Sequence, residues 1–102
     1  MNAEIEQKRE QLADLCRRHH VRRLALFGSD LRDDFDPQHS DLDFVVEFDP
    51  LPPGSYADTY FALSAELEHL FTRPIDLIEQ GAIRNPYILK EIEAHQETVY
   101  AA

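Results

Sequence analysis

Leu24 to Phe48 reads LALFGSDLRDDFDPQHSDLDFVVEF, two apolar runs separated by a glycine-serine pair and an acidic loop. The second run, Asp41 to Phe48, has the strongest strand character in the chain, carried by Phe44, Val45, Val46 and Phe48. Side chains two apart on a strand share a face, separated by about 6.5–7 Å of rise. Asp41 and Asp43 therefore point one way, while Leu42, Phe44 and Val46 point the other way into a core. Two bare charges ~4 Å apart repel by about 4 kcal/mol at an effective dielectric of ~20. Carboxylates aimed at one spot either splay into water or hold a cation between them.

The glycine-serine pair bears on that choice. Gly28 follows a short predicted strand, Arg23 to Phe27, where its missing Cβ lets the backbone approach a ligand closely. Ser29 offers a hydroxyl and an N–H, and a helical turn beginning there would add further N–H groups to an anion site. Alone, such a pair is an ordinary turn, and D-x-D alone is a solvated strand end. Here a phosphate cradle and a carboxylate pair lie on consecutive strands joined by eleven residues. Mg²⁺ is typically held by one or two carboxylates plus substrate phosphates. Asp76 lies between Ile75 and Leu77 in RPIDLIE, Arg73 to Glu79, a further predicted strand. By itself it is a surface aspartate on an edge strand. Beside the Asp41 strand it would bring a third carboxylate, able to share in metal binding and to take a proton from an attacking hydroxyl.

The rest of the chain frames this segment. Its 102 residues predict one domain, residues 1–102, with a modest core. A formal charge of −10 argues against a broad grip on nucleic acid and suits a protein partner. No apolar run reaches the ~20 residues of a membrane span, and the polar start MNAEIEQKREQ lacks a signal-peptide apolar region, so a cytoplasmic protein is expected. Cys16, the one cysteine, excludes an internal disulfide and is expected in the core.

Residues 3–20 predict an amphipathic helix burying Ile5, Leu12, Leu15 and Cys16, with Glu4 and Lys8 paired at i,i+4. DPLPPG, Asp49 to Gly54, breaks the strand. Ser55 and Asp58 suggest a capping box for a helix running to Phe71. Asn85 before Pro86 reads as an N-cap with proline at the first helical position, opening a helix to about His95. ETVYAA closes the chain as a tail or edge strand. Tyr87, Ile88, Ile92, Val99 and Tyr100 form either an apolar stripe for a partner or a face buried in the core. The element order predicts an α+β fold, a small mixed sheet flanked by helices mostly on one face.

LFGSDLRDDFDPQHSDLDFVVEF, with glycine-serine, a spacer, D-x-D at a strand start and a later third aspartate, resembles the minimal nucleotidyltransferases of the DNA polymerase β-like superfamily. RPIDLIEQGAIRNPYILKEIEAHQETVY resembles the C-terminal half of their small members. The resemblance implies a palm-like nucleotidyltransferase fold with Gly28 and Ser29 binding a triphosphate. Asp41 and Asp43 would be paired metal ligands and Asp76 the third carboxylate. It also implies transfer of AMP from ATP to a hydroxyl, with two Mg²⁺ ions and release of pyrophosphate. Small members resemble antitoxins that pair with HEPN ribonuclease toxins, some adenylylating a toxin tyrosine. A hetero-oligomer with the toxin is thus implied, with no direct nucleic-acid or membrane contact.

Asp30 and Asp33 depart from the small, basic or glycine residues frequent at these places, and Arg32 is the nearest basic candidate for phosphate contact. A chain this short leaves little room for an acceptor-binding domain, so the acceptor would come on another molecule. Two alternatives remain: an antitoxin that only blocks its partner sterically, and a stand-alone enzyme acting on a small molecule.

Overall fold

The computed structural model describes residues 3–27 and 42–102. Its elements are α1 (Ala3–Gln7), α2 (Arg9–Arg18), β1 (Val21–Phe27), β2 (Leu42–Phe48), α3 (Tyr56–Phe71), β3 (Ile75–Glu79), a 3₁₀ turn (Gln80–Ala82), α4 (Pro86–His95) and β4 (Glu97–Ala101). The described residues form a four-stranded sheet in the order β3-β2-β1-β4. β1 runs antiparallel to β2 and to β4, whereas β2 and β3 are parallel. Parallel neighbours need a long crossover, and α3 supplies it. The fold is α+β with a mixed sheet, as the element order predicts.

One face of the sheet carries Leu24, Leu26, Leu42, Phe44, Val46, Leu77 and Val99 into the core. Ile5, Leu12, Leu15 and Cys16 from α1 and α2, and Leu63, Leu67 and Phe71 from α3, close over them. The rings of Phe44 and Phe71 meet at 6.0 Å between centroids. Cys16 is fully buried as expected, and burial pushes its thiol pKa up to about 12. Among the described residues, no helix is long and apolar enough to cross a membrane.

Three local departures from the sequence pattern have physical causes. The single N-terminal helix is bent into α1 and α2 at Lys8 (φ −108, ψ 17). There Lys8 Nζ donates to the Leu70 carbonyl at 2.7 Å, while its N–H still bonds the Glu4 and Ile5 carbonyls. The first strand begins at Val21 rather than Arg23, because a bulge at that point lets Val21 enter the core. Ser55 precedes α3 but forms no capping box. Its hydroxyl donates instead to the Pro52 carbonyl at 2.7 Å, within the proline turn.

The other helix start follows the pattern. Asn85 Oδ1 accepts from the N–H groups of Tyr87 and Ile88 at 2.9 and 3.4 Å, with Pro86 at the first position. ETVYAA resolves into the edge strand β4. The apolar stripe of the C-terminal region divides. Ile92 and Val99 are buried, whereas Tyr87 and Ile88 are 80% and 52% exposed.

Candidate functional site

The site is set by strand alternation. Leu42 and Phe44 turn into the core, so Asp43 between them faces the opposite side of the sheet. Ile75 and Leu77 do the same for Asp76. The parallel register then pairs Asp43 with Asp76 directly, and Phe27 pairs with Asp43 from the other side. Phe27, Asp43 and Asp76 thus form a row across β1, β2 and β3. Neighbouring strands lie about 4.8 Å apart, so the two aspartates are neighbours on one face. Asp43 is half-buried, and Asp76 is exposed on the sheet's edge strand, open to an incoming molecule.

Two unit charges ~5 Å apart at an effective dielectric of ~20 repel by about 3 kcal/mol. A cation between them would remove that repulsion. Carboxylate oxygens are also the donor set that a hard divalent ion such as Mg²⁺ takes, so the pair fits one. Asp41, Gly28, Ser29 and Arg32 lie outside the described residues. Among those described, no group of three His, Cys, Asp or Glu side chains could hold an ion by itself. Of the three expected carboxylates, the structure therefore brings two together.

Several contacts fix the strand that carries Asp76. The Leu42 N–H bonds the Pro74 carbonyl at 3.3 Å, tying the starts of β2 and β3 together. The Tyr60 hydroxyl of α3 donates to the Leu77 carbonyl, one residue beyond Asp76. Arg73, just before β3, pairs with Glu4 of α1 at 2.8 Å. Glu4 and Arg73 are far apart along the chain, and no local spacing signals their meeting. Other arginines are engaged at the far end of the sheet. Arg22 pairs with Asp49 at 3.2 Å, and Arg23 reaches Glu47 at 3.5 Å and Gln80 at 3.3 Å.

The profile of the nucleotidyltransferase domain family matches residues 8–98. The chain belongs to that family. Within it, the chain is 36% identical over 91 residues to a Methanocaldococcus jannaschii protein named "Putative protein adenylyltransferase MJ0128", covering 81% of this chain and 89% of the relative. A solved structure described as a "putative minimal nucleotidyltransferase" superposes with a TM-score of 0.74 at 26% identity, over 90% of this chain and 89% of the other. A complex of tri-AMPylated Shewanella oneidensis HEPN toxin with MNT antitoxin contains a chain of the same fold. That match has a TM-score of 0.64 at 16% identity and covers 96% of this chain and 73% of the other. The mixed sheet is thus the sheet of a nucleotidyltransferase, and the Asp43–Asp76 row lies on the face opposite Phe44 and Leu77.

Proposed function

We propose that this nucleotidyltransferase domain, spanning residues 1–102, moves AMP from ATP onto a hydroxyl of a HEPN ribonuclease partner and so silences it. A tyrosine is the acceptor we favour. The observation that carries this reading is the in-register pairing of Asp43 with Asp76 on the face opposite the core. The AMPylated HEPN toxin bound to an MNT antitoxin of like fold, and the adenylyltransferase name of the M. jannaschii relative, support the choice of reaction and partner.

In this reading Asp41 and Asp43 are the paired metal ligands, and Asp76 completes the set. Gly28 and Ser29 cradle the triphosphate through backbone N–H groups, with Arg32 beside it. The acceptor oxygen attacks the α-phosphorus, the bond to the β-phosphate oxygen breaks, and pyrophosphate leaves. Asp76, exposed on the edge strand, is placed to receive the proton of the attacking hydroxyl. Mg²⁺, when bound, would neutralise charge on the reacting oxygens. The half-buried Asp43, flanked in the row by Phe27, fixes the inner wall of the site.

The test is direct. The chain is incubated with ATP, Mg²⁺ and a candidate HEPN-domain partner, and the partner's intact mass is measured. Wild type should add AMP units to the partner and abolish its ribonuclease activity, and Asp43→Ala should add none. Neutralisation that persists unchanged in Asp41→Ala/Asp43→Ala, with no mass added by wild type, would replace catalysis with steric blocking. Transfer to a small hydroxyl compound with the partner untouched would instead indicate a stand-alone enzyme.

A further inference from the structure

β3 is a poor platform for a catalytic carboxylate. It has five residues and, among the described residues, lies at the edge of the sheet and pairs only with β2. Its parallel ladder with β2 and the Tyr60 hydroxyl on the Leu77 carbonyl hold Asp76 level with Asp43 from one side of the strand and from α3. The segment leading into it is stiff. Thr72 adopts a left-handed conformation (φ 52), and Arg73 precedes a proline, which confines it to extended backbone. A stiff lead transmits to the strand whatever force is applied at Arg73.

That force comes from α1. Arg73 and Glu4 meet at 2.8 Å with side chains only 12% and 24% exposed, and Lys8 adds a bond to the Leu70 carbonyl at the end of α3. Lys8 also lies over the Phe71 ring, 5.6 Å from its centroid, and 4.0 Å from Glu4. The junction of α1 and α2 provides a control. Glu6 and Arg9 also meet at 2.8 Å, but both are 50% exposed and neither belongs to β3 or the turn before it.

We propose that the Glu4–Arg73 pair is a positioning latch, by which the N-terminal helix holds the edge strand so that Asp76 stands level with Asp43. Its role in transfer rests on the reading of Asp76 given above. The mechanical part does not, and the two are tested separately.

Amide hydrogen exchange is measured on the metal-free, full-length chain for wild type, Glu4→Gln, Arg73→Lys and Glu6→Gln. Glu4→Gln should speed exchange of the β3 amides about tenfold relative to those of β4, and Glu6→Gln should leave both unchanged. Arg73→Lys keeps the charge on a side chain of different shape, so it should fall between wild type and Glu4→Gln. It also serves if Glu4→Gln does not fold. Unaltered β3 exchange in both Glu4→Gln and Arg73→Lys, or an equal effect from Glu6→Gln, would overturn the latch.

Mn²⁺ affinity is then followed by electron paramagnetic resonance without nucleotide. It should weaken about fivefold in Glu4→Gln if the latch serves a metal-holding Asp76. Loosened β3 with unchanged Mn²⁺ affinity would keep the mechanical latch and remove its link to the site. Absence of Mn²⁺ binding in wild type would fault the reading of Asp41, Asp43 and Asp76 as a metal site and leave the mechanical latch standing.

Discussion

On the core side of β2 and β3, Leu42, Phe44, Val46 and Leu77 are at most 6% exposed, whereas one residue away on the same strands Asp43 and Asp76 face outward as a carboxylate pair. The first set gains from leaving water, and in the proposed function the second would gain from an ion or a reacting hydroxyl. Because a strand alternates strictly, neither set can shift without moving the other to the wrong face. The core therefore sets the register of the site. The converse does not hold, and mutations should separate the two faces.

The largest effect should come from breaking the core face. Phe44→Ala removes a fully buried ring that packs on Phe71, and should lower unfolding free energy by about 3–5 kcal/mol in urea titration. Domains of this kind have only about 5–15 kcal/mol to lose, so AMP transfer should fall with the folded fraction. The opposite face should respond in the opposite manner. Asp76→Asn should cut transfer about a hundredfold or more while changing stability by no more than about 0.5 kcal/mol, since the residue is exposed. Ligand linkage sharpens the contrast from the outer face. Mg²⁺ with a non-hydrolysable ATP analogue at a hundredfold excess over Kd should stabilise wild type by about 2.7 kcal/mol in a melting experiment, and Asp43→Ala by far less.

A smaller effect lies away from both faces. Asn85→Ala removes the two bonds that cap α4 and should lower stability by about 1 kcal/mol, with transfer by the folded protein unchanged. The smallest concerns Glu6→Gln. It breaks an exposed pair between α1 and α2 and should shift stability by no more than about 0.5 kcal/mol.

What could be read in advance was whatever repeats locally. Period-two alternation placed Phe44, Val46 and Leu77 inward and Asp43 and Asp76 outward. The Asn85–Pro86 pair marked the start of α4, and helical spacing marked Ile5, Leu12, Leu15 and Cys16. Long-range features were less accessible. The bend at Lys8 follows from a carbonyl on α3, and the lost capping box follows from a proline turn that captures the Ser55 hydroxyl. The direct pairing of Asp43 with Asp76 depends on a parallel register reached only after the α3 crossover, which spacing along β2 cannot reveal. The Glu4–Arg73 contact has no sequence signature at all. Gly28, Ser29, Arg32 and Asp41 rest on motif alone.

The central claim is that Asp43 and Asp76 work as one unit, and a double-mutant cycle on AMP transfer tests it most directly. Groups that act together are not additive. Transfer of AMP from radiolabelled ATP to the partner should be as low in Asp43→Asn/Asp76→Asn as in the worse of the two single variants. Two losses that multiply, or wild-type transfer by Asp76→Asn, would contradict the account.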